Sequence, residues 1–175
     1  TGLTKAVAPV TEKFGVPMVE AEGASRSLFT QGYKYMFAVL STSEYYLAPV
    51  LDIIAQRAKA GWKSPSDLRI GMAFENDGFS LDVREGVLDV AKKYNMKIVI
   101  DDKLPADLSD MSATLTKFKA LKPDILLISG HSKGAATAAR QIEEMKIQAP
   151  VIAYTHCEAA KVHEKFPKSA VGVMC

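Results

Sequence analysis

Cysteine is scarce in this 175-residue chain, which has only Cys157 and Cys175. Two are too few for a disulfide scaffold, and neither sits at a metal-ligand spacing. Each reads as a small buried or half-exposed residue, and the redox compartment is not legible from them. Long apolar runs are also missing: none approaches the roughly 18 residues a membrane span needs. Charge of one sign is missing too. The formal net charge is +2, and the basic residues are scattered, with no cluster longer than Lys92-Lys93. Nucleic-acid binding would concentrate them on one face, so that class drops out. There is no G-x-x-x-x-G-K-[ST] and no G-x-G-x-x-G, so nothing calls for a nucleotide or another cofactor. His131, His156 and His163 have no i,i+4 partner, so no metal site is read from the histidines.

What is present is an ordinary globular composition, 48% hydrophobic and 24% charged. From residue 69 the pattern alternates. Apolar runs predict strands over 69–75, 96–101, 124–129, 150–154 and 170–175. Helical spacing predicts helices over 81–94, 109–121, 135–145 and 158–166. Strands that are continuously apolar are buried on both faces. Right-handed crossovers then require a parallel sheet with helices on both sides. The expected fold class is α/β, a doubly wound parallel sheet of flavodoxin-like strand order.

Before residue 69 the pattern differs. A helix over 4–14 carries Val7, Val10 and Phe14 on one stripe, although Pro9 lies inside it. A strand is expected over 16–20, a turn at Gly23-Ala24-Ser25, an apolar stretch over 35–40 and a long helix over 45–60. Ser41-Thr-Ser-Glu44 would supply the N-cap of that helix. A fold opening on a covering helix reads as truncated, and so does one stopping on a bare strand. The expected organisation is 1–44 as the end of one lobe plus a crossing segment, and 45–175 as a second lobe.

The crest Gly130-His-Ser-Lys-Gly134 joins a strand to a helix and has two readings. G-x-S-x-G on such a turn is the nucleophile elbow of an α/β-hydrolase, with Ser132 as nucleophile. That reading needs an acid and a histidine later in the chain, and Glu158 followed by His163 is the one pair in order. No HGGG-type oxyanion element precedes the crest. The other reading is a tight glycine turn at the carboxyl end of a strand, forming one wall of a ligand cleft. A phospho-acceptor reading fails because the third strand ends in Ser129. In the cleft reading, Phe79, His131 and Thr155 supply a wall, an amphipathic edge and a hydroxyl, while Ala24-Ser25 offers an anion-sized nest. Each has a plainer alternative: Phe79 as a core aromatic, Ser25 as a cap or turn residue, His131 as an exposed turn residue.

The runs Val7-Ala-Pro-Val-Thr-Glu-Lys-Phe-Gly-Val-Pro-Met18, Glu22-Gly-Ala-Ser25, Gly32-Tyr-Lys-Tyr-Met-Phe37, Arg69-Ile-Gly-Met-Ala-Phe-Glu-Asn-Asp-Gly-Phe79 and Leu121-Lys-Pro-Asp-Ile-Leu-Leu127 resemble type I periplasmic solute-binding proteins. These are the branched-chain amino acid receptors of ABC importers. The resemblance covers essentially the whole chain and matches the middle of a longer family member. It implies a non-enzymatic receptor that closes two lobes over a small carboxylate-bearing solute, an amino acid or an aromatic or aliphatic acid. It implies a membrane ABC permease as partner, and a periplasmic or lipid-anchored extracellular location without direct membrane insertion. Carried over by position, the ligand-binding residues are Thr1, Ala24, Ser25, Phe79, His131 and Thr155. The family's ammonium-binding acid falls at Thr155, so a solute lacking an α-amino group stands beside leucine and its relatives. Weak or absent affinity is implied for these residues alone. A ligand-sensing regulatory domain of the same fold remains a further alternative, as one fold hosts many functions.

Overall fold

The computed structural model describes residues 1–59, 61–158 and 160–175. In chain order it contains helix α1 (Gly2–Phe14), strand β1 (Met18–Glu20), the short helix α2 (Arg26–Phe29), strand β2 (Met36–Ala38) and helix α3 (Ala48–Lys59). Then come β3 (Arg69–Glu75), α4 (Gly78–Lys93), β4 (Lys97–Leu104), α5 (Ser112–Leu121), β5 (Ile125–Ser129), α6 (Ser132–Glu144) and β6 (Val151–Tyr154). The short helices α7 (Ala160–Lys165) and α8 (Pro167–Ala170) follow. Ala60, the expected last residue of the long helix, and Ala159, inside the expected helix over 158–166, lie outside the described residues.

The larger sheet has four strands in the order β4-β3-β5-β6, all parallel. The first of these strands thus sits inside the sheet, as in the expected flavodoxin-like order. Successive side chains of a strand point to opposite faces, and here both faces are covered. Ile70, Met72 and Phe74 of β3 enter one core with α3 and α4, while Ala73 enters a second core with α5 and α6. β5 divides the same way, Ile125 and Leu127 to the first core, Leu126 and Ile128 to the second. Each fully buried aliphatic stabilises by about 1.5–3 kcal/mol, so β3 and β5 anchor the domain.

The expected strand over 170–175 is not formed. Pro167 starts the short α8, and Gly172 turns the chain at a φ of 80°. Among the described residues one isolated bridge remains there, Ala153 with Met174. The long helix also begins later than expected. Ser43–Tyr45 forms a 3-10 turn instead of a cap, and α3 starts at Ala48. That turn packs onto α4 at Gly86, where any Cβ would collide with the Glu44 carbonyl.

The first 40 residues are built more sparsely. β1 and β2 pair in parallel over three residues each. The apolar stripe of α1 faces outward: Val7 is 47%, Val10 53% and Phe14 69% exposed, whereas Thr4 and Ala8 are buried. The helix turns its small residues inward because Thr4 must meet Gly23, where a Cβ would clash with the Thr4 hydroxyl. Among the described residues no helix is long and apolar enough to cross a membrane.

The cysteines correct their sequence reading. Cys157 and Cys175 form a disulfide with Cα atoms 5.7 Å apart. The bridge Ala153–Met174 brings Cys175 beside the loop that follows β6, which spacing alone does not reveal.

Candidate functional site

In an open parallel sheet the carboxyl ends of the strands carry the ligand loops. The registers Phe74 with Ser129 and Ile128 with Tyr154 align the ends of β3, β5 and β6. The loops carrying Phe79, His131 and Thr155 therefore lie side by side, as expected. Thr155 ties two of them together. Its buried hydroxyl accepts from the Gly130 amide at 3.1 Å and donates to the Gly130 carbonyl at 2.8 Å. His156, at a φ of 60°, places Nδ1 2.9 Å from the same carbonyl. A carbonyl only accepts, so Nδ1 carries the proton and Nε2 is left as an acceptor in the neutral ring.

Phe79 sits at the centre of a ring cluster. Its centroid lies 5.3 Å from Tyr46, 5.5 Å from His131 and 5.6 Å from His156, and the two imidazoles are 5.7 Å apart. Such spacings fit offset and edge-on aromatic packing. Phe79 is also a core residue, as its plainer reading expected. His131 is the N-cap residue of α6, with its side chain 53% exposed.

Beneath the rings lies a charged group that sequence reasoning did not assemble. Asp77 caps α4, its Oδ1 accepting from the Ser80 amide at 2.9 Å. Its Oδ2 is 3.1 Å from Nε2 of His131. Glu75 ends β3 and is 2% exposed. Burial pushes its carboxyl up to about 7, against the opposing pull of His131. Burial also works on Asp77, but the His131 ring and the Ser80 amide outweigh it and hold that carboxyl low. Asp77 in turn raises His131.

This group accounts for the glycines of the crest. Neither Gly130 nor Gly134 has a positive φ, so turn geometry does not demand them. A Cβ on Gly130 would lie 2.6 Å from Oε1 of Glu75, and one on Gly134 would lie 2.7 Å from it. The motif is glycine-rich to seat a buried carboxylate. Ser132 is exposed at the start of α6, and among the described residues no hydrogen bond links it to a histidine.

The Ser25 turn faces these loops from the other side. Ser25 is buried, and its hydroxyl donates to Oδ2 of Asp82 at 2.7 Å, with the Gly78 carbonyl 3.2 Å away as the alternative acceptor. The Arg26 amide donates to the same Asp82 oxygen at 2.8 Å. The expected anion nest thus holds the chain's own carboxylate. Lys5 is close by: a Cβ on Gly78 would lie 3.5 Å from its Nζ and 3.6 Å from the Ser25 hydroxyl oxygen. Ala24 is buried in the core and contributes backbone only. Thr1 is the N-cap residue of α1, one turn before Lys5.

Sequence reasoning named Glu158 only as a hydrolase acid and missed it at the cleft. With Ser41, Tyr46, Thr155 and His156 it lines an open cavity of about 370 Å³. Burial and the charges of Glu158 and Glu22 raise the Tyr46 phenol. The signal was an acid three residues past the position where one was expected.

A sequence profile described as "Periplasmic binding protein" matches residues 1–175. A "Leu/Ile/Val-binding protein homolog 8" of Brucella abortus is 22% identical over 140 residues, covering 79% of this chain and 35% of the relative. The chain thus spans about a third of the length of the curated relatives it matches. A leucine-binding protein from Thermotoga maritima superposes with a TM-score of 0.76 at 18% identity, over 95% of this chain and 45% of that one. A solute-binding protein from Rhodopseudomonas palustris BisB5, solved with 3,4-dihydroxybenzoic acid, gives 0.72 at 18% identity, over 88% and 40%.

Proposed function

The chain belongs to the periplasmic binding protein family, and from that premise we propose that it is part of an extracytoplasmic solute receptor of an ABC importer. The solute is a small carboxylate-bearing molecule held between two lobes that close about a hinge. Residues 1–44 belong to one lobe and its crossing segment, and residues 45–175 to the other. The observation that carries this reading is the ring cluster of Phe79, Tyr46, His131 and His156 at aligned strand ends, facing the Ser25 turn.

The roles follow from chemistry. Phe79 and Tyr46 offer apolar and edge-on surface for a hydrocarbon or aromatic body. His131 and Lys5 supply donors for a carboxylate, with Thr1 at the same end of α1, and the Ser25 turn after Ala24 joins them when the solute carboxylate displaces Asp82. Thr155 holds the His156 loop in place. Glu158 stands where it can accept from an ammonium or hydroxyl group on the solute. The disulfide suits an oxidising compartment, which supports a periplasmic or surface-anchored location. The permease that accepts the closed receptor is the membrane partner, and no bond of the solute is broken.

A thermal-shift screen of the full-length protein against amino acids and against aromatic and aliphatic carboxylates tests this reading. A rise in Tm with one carboxylate class is expected. Ester hydrolysis that disappears in Ser132→Ala would contradict it.

A further inference from the structure

We propose that Glu75, Asp77 and His131 form a binding site for one divalent transition-metal cation at the carboxyl ends of β3 and β5. One atom from each of the three side chains lies within 4.8 Å of the other two. Nε2 of His131 and Oδ2 of Asp77 are already 3.1 Å apart. Two ligands of a tetrahedral zinc ion, each at about 2.0–2.1 Å, are roughly 3.3 Å apart, so that edge of the polyhedron is nearly preformed.

A second observation points to a cation. Glu75 is 2% exposed, and its Oε2 is buried without a hydrogen-bond partner among the described residues. Oδ2 of Asp77 is buried beside it, with the His131 ring as its one close partner among the described residues. A buried carboxylate oxygen left without a donor costs free energy, and a cation beside Glu75 and Asp77 would offset that cost. A shared proton neutralises one charge; a divalent cation neutralises both and uses the imidazole as well. The seat is also built: Gly130 and Gly134 leave only the space that the Glu75 carboxylate fills.

The donor set of two carboxylates and one imidazole suits zinc, manganese or iron(II) better than calcium. His131 is half-exposed and packs against Phe79 and His156, so a solute held by those rings would lie next to the metal. If the solute reading holds, a carboxylate or hydroxyl oxygen of the solute completes the shell there. The metal site itself does not depend on that reading.

The test uses the untagged chain with its disulfide intact, stripped with chelator and titrated with zinc chloride in the absence of any solute. The disulfide must stay closed because Cys157, Cys175 and Glu158 are a second cluster that could take zinc once reduced. Calorimetry and metal counting are expected to give one zinc per chain. Glu75→Gln and His131→Gln should each weaken it about tenfold or more. Asp77→Asn should do the same while keeping the α4 cap, since Asn caps as well as Asp. Circular dichroism checks that each variant is folded. No stoichiometric zinc on the folded wild-type chain would overturn the site, and so would unchanged affinity in folded Glu75→Gln. Because no solute is present, failure here and failure of the solute reading are separate results.

Discussion

Strands β1 and β5 are both parallel and both carry valine, methionine or branched aliphatic residues, yet their surroundings are opposite. Every residue of Ile125–Ser129 is buried. In β1, Val19 is 65% exposed, and across the pair Phe37 is 54% exposed. β5 has a strand on each side and a helical layer on each face. β1 has one partner and α1, which turns Thr4 and Ala8 toward the fold and its large residues away. Sequence period decides which residues share a face; neighbours decide whether that face is dry. A two-stranded ribbon is marginal in water, so β3 to β6 carry the stability, and the Ser25 turn leans on them through Asp82.

Core truncation should break the comparison most. Phe74→Ala or Leu127→Ala is expected to cost about 3–5 kcal/mol in urea denaturation, because both side chains are fully buried between helix and sheet. Val19→Ser is expected to change stability by no more than about 0.5 kcal/mol. Equal losses would mean that the first 40 residues share the main core.

The crest offers a sharper contrast. Gly134→Ala drives a methyl onto the Glu75 carboxylate and should cost about 1–3 kcal/mol. In a Glu75→Ala background the same change should cost much less, and a double-mutant cycle measures the difference. Additive losses would show that the glycine is needed for another reason. The smallest effect is expected where the Ser25 turn meets α4. Asp82→Ala removes the hydrogen bonds from Ser25 and Arg26, worth about 1 kcal/mol of stability in a partly exposed setting. It should also free the Ser25 turn to take an added carboxylate.

The sheet was legible in the sequence because β3, β5 and β6 are short unbroken apolar runs between helical patterns. The strand over 170–175 was misread because Val171 and Val173 alternate as a strand does, while Pro167 and Gly172 decide the backbone. Phe79, His131 and Thr155 could be placed together because each follows a strand end and strand order fixes which ends adjoin. Glu75, Asp82 and Glu158 could not. Their partners lie on other loops, and an acidic residue after a strand looks the same whether it is solvated, buried or gripped by a distant turn. The disulfide was hidden for the same reason: the two cysteines are 18 residues apart, and only the fold makes them adjacent.

The central claim is that the ring cluster at the strand ends binds the solute and that Ser132 does not act on it. Calorimetric titration of the full-length protein with the best carboxylate from the screen tests this most directly, comparing wild type, Phe79→Leu and Ser132→Ala. Leucine keeps the buried volume but removes the ring. Aromatic pairs are worth about 0.5–1.5 kcal/mol beyond burial, so Phe79→Leu should weaken binding roughly two- to twelvefold. Ser132→Ala should bind as wild type does. Unchanged affinity in Phe79→Leu together with lost affinity in Ser132→Ala would contradict the account.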